Sequence, residues 1–232
     1  NRGDGKENSV STEILYEDNH LLVVAKPPDI PVQADISGAL DLLTILKEEM
    51  KAKYNKPGNV FLGLVHRLDR PAGGVMVFAK TSKAASRLSS QIREHQLEKT
   101  YLCVVKGSPQ PAKGRLTDCL LKDPQTNTVQ IVSPNTPKGK EAVLDYEVLG
   151  QSGEYSLVKV HLLTGRSHQI RVQMSHNGTP LFGDTKYGYK GKKDDRLALW
   201  SCSLAFMHPT KKERMQFTSS PPEEYPWNLF KV

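Results

Sequence analysis

Cysteine is scarce in this chain. Cys103, Cys119 and Cys202 are the only three among 232 residues, and none belongs to a C-x-x-C pair. That spacing indicates neither a zinc ribbon nor a disulfide framework, and it fits a reducing compartment with three buried thiols. No apolar run approaches the ~18 residues that span a bilayer. The opening stretch, NRGDGKENSVS, has no apolar segment of the secretory kind. No membrane role is therefore expected, and the cytoplasm is the expected location. G-x-S-x-G is absent, so no serine-hydrolase elbow is present. Repeats and long low-complexity linkers are absent too. One domain is expected over residues 12–232, behind a polar, flexible tail of residues 1–11.

What the chain has in surplus is positive charge. Thirty-two Lys and Arg against 25 Asp and Glu leave a net charge of +7. Such a surplus suits a polyanion, either nucleic acid or an anionic membrane face, and it is equally compatible with an ordinary basic surface. Hydrophobic residues at 38% and charged residues at 25% are usual for a globular chain.

EILYEDNHLLVVAKP (13–27) predicts two strands around a turn at Glu17-Asp18-Asn19, stopped by Pro27-Pro28. Apolar positions 39, 42, 43, 46 and 50 predict a helix with Ser37 as its cap. Residues 63–68 and 75–80 read as short strands. A second helix covers 82–95, with Ala85, Leu88 and Ile92 facing inward and Lys83, Arg87 and Arg93 outward. Strands follow at 100–107, 115–121, 127–132, 141–149 and 155–163, two pairs of them joined as hairpins. RLALWSCSLAF (196–206) reads as a long last strand. The class is α+β: a mixed, mainly antiparallel central sheet with flanking helices.

Two segments concentrate chemistry. In VHRLDRPAGG (65–74) one acid, Asp69, lies between Arg67 and Arg70. The flanking charges favour its ionised form, which serves as a nucleophile or electrostatic stabiliser and not as a proton donor. Gly73-Gly74 permits a tight turn or close approach of a ligand. A plain surface ion pair is the alternative. In LLTGRSHQIRVQMSHNGTP (162–180), Ser167 is placed to cap a helix running to about Asn177, with Gly178 and Pro180 beyond. His168 and Arg171 share one helical face, while Ile170 and Met174 share another that anchors it. With Arg166 at its start, this helix offers a positive N-terminus suited to phosphate or carboxylate. The alternative is an Arg171 paired with a structural acid and a satisfied, partly buried His168.

HRLDRPAGG closely resembles the H-R-L-D-x-x-T-S-G signature of the RluA-type pseudouridine synthases. YEDNHLLVVAKPPDIPV, VMVFAKTSKAASRLSSQ, EKTYLCVVKG, LTGRSHQIRVQMSHNGTPLFGD and RLALWSCSLAFMHP resemble further family segments, in the family's order, over roughly residues 14–209. The resemblance implies the pseudouridine synthase fold and an enzyme that isomerises uridine to pseudouridine in structured ribosomal or transfer RNA, without cofactor or metal. It makes Asp69 the essential acid. Tyr101 stacks on the uracil and is a candidate base at C5, and Arg171 is the basic partner of Asp69. His66, Arg67, Leu68, Arg70, Arg166 and His168 become substrate-binding candidates. Either Leu197 or Leu199 matches a leucine that packs on the target base. Strand alternation places Ala198, Trp200, Cys202, Leu204 and Phe206 on one face, and Leu197, Leu199 and Ser201 on the other.

Two departures stand out. The family's T-S-G is Ala72-Gly73-Gly74 here, losing two hydroxyls, and its R-L-A-L-H is R-L-A-L-W, with Trp200 in place of His. Many relatives also carry a small N-terminal RNA-binding module. Only about a dozen polar residues precede the first strand here, so either the protein works without that module or the module was cut away; recognition by this chain is then expected to rest on its basic surface, with Lys83, Arg87, Arg93, Lys190, Lys192 and Lys193 as candidates. A monomer is the default. The competing function is a non-catalytic RNA-binding protein that keeps the fold. A glycoside hydrolase needs a second catalytic carboxylate, and no other acid falls in a comparable motif.

Overall fold

The computed structural model describes residues 12–232, so the tail expected at 1–11 lies outside the described residues. β1 (Glu13–Glu17) and β2 (Leu21–Lys26) form the first hairpin. Its turn is closed by the Asp18 carboxylate, which accepts the N–H groups of His20 and Leu21 at 2.7 and 2.8 Å.

Helix α1 (Leu42–Lys53) starts later than its apolar spacing predicts. Its cap is Asp41, which accepts the Thr44 N–H at 3.0 Å. The Ser37 hydroxyl is instead engaged by Asp35 in an exposed loop. β3 is only Gly63–Leu64, not a strand to residue 68, and β4 spans Gly73–Ala79. Helix α2 (Ser82–Arg93) is capped by Thr81 and buries Ala84, Leu88 and Gln91. The expected Ala85 and Ile92 are half-buried. Gln91 is a core residue in disguise: its amide donates to the Met207 carbonyl and accepts the Met207 N–H, so it is buried without an orphaned group.

β5 (Glu98–Lys106), β6 (Lys113–Asp123), β7 (Thr128–Val132), β8 (Lys140–Ser152) and β9 (Tyr155–Leu162) follow as read from the sequence. Helix α3 is Gln169–His176. β10 (Leu199–Met207) starts three residues later than predicted and is not last, because β11 (Arg214–Thr218) pairs with it. A register shift between Ser201 and Ser203 breaks the expected alternation. Ala198 and Trp200 join one apolar cluster, while Leu204 and Phe206 join another.

The eleven strands found among the described residues form one sheet, ordered β1-β2-β4-β10-β5-β9-β8-β6-β7, with β3 on β4 and β11 on β10. Every pairing is antiparallel except β4 with β10. Every residue of β4 is buried. Met76 and Phe78 pack with α1 and α3, whereas Val75, Val77 and Ala79 pack with α2, the period-2 split of a strand covered on both faces.

Candidate active site

The parallel seam decides where the chemistry lies. Gly74 of β4 is level with Ser201 of β10, and Ser201 is level with Tyr101 of β5. The turn carrying Asp69 ends at the first residue of β4, so it is delivered beside Tyr101, some thirty residues away in sequence. The Asp69 carbonyl accepts the Ala72 N–H at 2.9 Å, closing a four-residue turn.

Beneath that turn lies Lys26, completely buried. Its ammonium donates to the carbonyls of Ala72 at 2.6 Å and of Arg70 and Pro27 at 3.0 Å. Three donors meet three carbonyls that strand pairing leaves free, so Lys26 fixes the turn from below. Burial pulls this group down to about 8, against the opposing charges of Asp29 and Asp69.

Gly73 is required by packing. A Cβ there would strike the Trp200 indole and stand 2.7 Å from the Lys26 carbonyl oxygen. At Gly74, with φ at +119°, a Cβ would strike the Ser201 backbone. Trp200 is itself buried and donates its indole N–H to the Ser219 carbonyl at 2.9 Å. Two of the departures from the RluA-type pattern, at residues 73 and 200, are therefore sterically linked: the indole occupies the room that a side chain at residue 73 would need.

Asp69 keeps a quarter of its side chain exposed and lies 3.6 Å from Arg171. The arginines that flank it in sequence do not form this pair. Arg67 projects into solvent. Arg70 turns toward Asp35 at 3.6 Å, because adjacent residues in a turn point apart. Arg171 is held by a residue that the sequence motif did not single out, Asp184. Nε and Nη2 of the guanidinium donate to the two Asp184 oxygens at 2.9 Å each, in a fork that is almost wholly buried. Burial alone would lower Arg171, but Asp184 and then Asp69 outweigh it and raise it. The Tyr187 ring lies 5.1 Å from the guanidinium carbon and completes the cage.

Ser167 does not cap α3. His168 occupies the cap position with φ at 53° and makes no cap bond with its side chain. The Gln169 carbonyl oxygen instead accepts the Arg166 N–H at 3.0 Å and the Thr164 hydroxyl at 2.8 Å. Gln169 and Gln173 also donate to the carbonyls of Val143 and Ala142, which bolts α3 to β8. Ile170 and Met174 do anchor it in the core, and Arg171 lies on the same short helix. The His168 imidazole is bonded to the Tyr187 hydroxyl at 2.6 Å. Burial lowers its pKa, Arg171 and two lysines add to that, and Asp69 opposes it.

Two clefts meet at Asp69. The larger, about 840 Å³, runs between the 31–35 loop, the Asp69 turn and the start of α3. Arg67, Arg70, Lys122, Arg166 and Lys186 line it, and the sequence offered no reason to single out Lys122 or Lys186. The smaller, about 230 Å³, holds Asp69, Tyr101, Leu199, Lys99 and His66. Burial first, and Asp69 second, push the Tyr101 phenol well above its usual range, which favours its neutral form. His66 lines this cleft, but its Nε2 accepts the Val77 N–H at 3.0 Å, and burial followed by Lys99 pushes it down to about 3. It is therefore a neutral brace for the turn, not a phosphate-binding cation. Leu68 also belongs to the core. Of the two leucines, Leu199 faces Tyr101 in the cleft, while Leu197 lines a separate depression beside Asp184. Lys83, Arg87, Lys190 and Lys192 line neither Asp69 cleft.

Residues 20–176 match the family model described as RNA pseudouridylate synthase. A Buchnera aphidicola protein named ribosomal large subunit pseudouridine synthase C is 34% identical over 218 residues, covering 89% of this chain and 66% of the relative. A Zymomonas mobilis protein named ribosomal large subunit pseudouridine synthase D is 33% identical over 227 residues, covering 93% and 71%. The chain thus spans about two thirds of the length of these relatives. In fold, the human RNA pseudouridylate synthase domain containing 4 superposes with a TM-score of 0.78 at 23% identity, over 94% of this chain and 91% of that one. On the strength of that family match and those relatives, the chain belongs to the RNA pseudouridylate synthases, of the RluA type.

Proposed function

We propose that the Asp69 cleft isomerises uridine to pseudouridine within structured RNA. The observation that carries this is an acid on a braced turn, 3.6 Å from an arginine whose own charge is already balanced by Asp184. That arrangement holds a carboxylate in one orientation without neutralising it.

The reaction breaks the bond from C1′ to N1 and forms one from C1′ to C5. One proton leaves C5 and one is taken up at N1, so no oxidant or co-reactant is needed. Asp69 supplies negative charge where positive charge develops at C1′. Arg171 orients it. Extruding a uridine from a folded RNA costs a few kcal/mol, and stacking on the Tyr101 ring returns roughly 1–3 kcal/mol. Leu199 forms the apolar floor. Arg67, Arg70, Lys122, Arg166 and Lys186 hold the RNA backbone by charge, in a salt-sensitive manner. Ribosomal RNA is the substrate to test first, since the named relatives act there, and transfer RNA is the second. Three free thiols suit action in the reducing cytoplasm.

The test is pseudouridine mapping on total RNA from cells with and without this protein, with Asp69→Asn as the rescue control. The expected result is loss of one or a few sites, restored by the unmutated protein and not by Asp69→Asn, whose RNA affinity stays within a few fold. Turnover by Asp69→Asn comparable to the parent removes Asp69 from the mechanism. An unchanged map, with Asp69→Asn rescuing whatever defect the deletion causes, makes this a non-catalytic RNA-binding protein.

A further inference from the structure

Lys99 is a cation that the site described above does not use. It lies two residues before Tyr101 on β5, so strand alternation puts both side chains on the face of the Asp69 cleft. It is half-buried, yet among the described residues no acid and no hydrogen-bond acceptor engages its ammonium. Its neighbours make matters worse electrostatically. Burial and then the charge of Arg166 lower its pKa. The ammonium lies against Gly165, where a Cβ would strike Nζ. A glycine at 165 is what lets a lysine side chain lie there.

Lys99 also stands on a boundary. It lines the cleft of Asp69 and Tyr101, and it lines a second groove of about 490 Å³ that continues away from Asp69. That groove carries Arg93, His95, Lys99 and Arg166 among apolar residues such as Ile92 and Leu163, and no acid lines it. Arg166 is steadied there, its Nε donating to the Glu141 carbonyl at 2.8 Å. A partly desolvated cation beside a second cation, with no counter-charge, is costly unless an anion completes it. Resting on the proposed function, the occupant follows from connectivity. A uridine whose base lies between Asp69 and Tyr101 must lead its chain out past the shared wall.

We propose that Lys99 and Arg166 form a binding subsite for a single RNA phosphate next to the target uridine, and that the groove over Arg93 and His95 is the path of the strand leaving the site. The pair positions the nucleotide and does no bond chemistry. Lys99 is a point charge for the phosphate, while the planar Arg166, held at Nε, presents its remaining N–H groups.

The experiment uses Lys99→Gln and the RNA fragment that mapping assigns as substrate, with binding and turnover measured separately. Lys99→Gln is expected to weaken binding about tenfold near physiological salt and to reduce the slope of log Kd against log salt by about one. The loss appears in Kd and KM rather than in kcat. Replacing the adjacent phosphate with a neutral methylphosphonate should weaken the parent by a similar factor and have little further effect on Lys99→Gln. Gly165→Ala, which displaces the ammonium, should reproduce the binding loss in milder form. Loss of kcat with unchanged Kd overturns the proposal and places Lys99 at the uracil. Unchanged Kd and salt slope also overturn it, leaving Lys99 a solvated charge. An RNA that the parent binds but does not isomerise counts against the enzymatic function, and the binding series still reads the phosphate contact.

Discussion

Asp184→Asn asks the most of the structure. The Asp184 side chain is 1% exposed and that of Arg171 is 9% exposed. Both Asp184 oxygens receive guanidinium donors at 2.9 Å. The amide has nearly the shape of the carboxylate but offers one acceptor, so one of the two bonds is lost. An NH₂ group then faces a guanidinium N–H, and a buried positive charge loses its nearest counter-charge. Breaking a buried pair from one side costs about 3–5 kcal/mol. Asn keeps half the geometry, which puts the cost near the lower limit, about 3 kcal/mol. For a chain of this size that is roughly 6–12 °C in Tm. The same change frees Arg171 to tilt toward Asp69, its other acid at 3.6 Å. A misplaced or over-neutralised carboxylate raises the barrier, and about 2 kcal/mol of it slows turnover roughly thirtyfold. RNA affinity should change little, since Asp184 is buried. Thermal unfolding reads the first effect. Release of tritium from C5-labelled uridine in RNA, at saturating substrate, reads the second. Asp184→Glu, which keeps the charge, should recover part of both. A fall in Tm with full turnover would refute the idea that Asp184 positions Arg171 for chemistry, and no change in either would refute the worth assigned to the fork.

Two further predictions concern the turn itself. Gly73→Ser should destabilise by about 2 kcal/mol through overpacking against Trp200 and the Lys26 carbonyl. In a Trp200→His background the cost should fall by about 1 kcal/mol in chemical denaturation, and strict additivity would show that the two positions are not coupled. Lys26 has a folded pKa of about 8, below the 10.5 of a free lysine. Below about pH 8 both folded and unfolded chains hold the proton, and this group's contribution to stability is constant. Between about 8 and 10.5 the unfolded chain holds a proton that the folded one has lost, so this contribution to stability rises with pH. Activity should fall over the same range, because a neutral amine has two N–H groups for three carbonyls. An alkaline limb near pH 8 that persists in Lys26→Met would assign it to another group.

The RluA-type order of segments, the three helices and ten of the eleven strands found among the described residues were legible from the sequence, because hydrophobic periodicity and short motifs are local properties; β11 was missed. Local reasoning failed where a group finds its partner far along the chain. Neighbouring residues alone suggest Arg67 and Arg70 as the partners of Asp69, and only the family resemblance named Arg171; turn geometry aims Arg70 at Asp35 and leaves Arg171 to meet the acid. Ser37 and Ser167 read as caps, yet Asp41 caps α1 and His168 takes the cap position of α3 without a side-chain bond. Gln91, which the apolar pattern did not single out, becomes core once Met207 supplies both of its hydrogen bonds.

The sequence by itself determined the class of the fold and the family it resembles, and it singled out Asp69 as the candidate acid. Only the tertiary structure decided how that acid is held. The parallel seam of β4 with β10 brings Asp69 beside Tyr101, Lys26 braces the turn from beneath, and Asp184 fixes Arg171. It also decided that Gly73 and Trp200 are sterically linked, and that Lys99 stands at the mouth of a second groove without a partner among the described residues. These are contacts between residues far apart in sequence, created by strand register and close packing, and no local pattern of residue types encodes them.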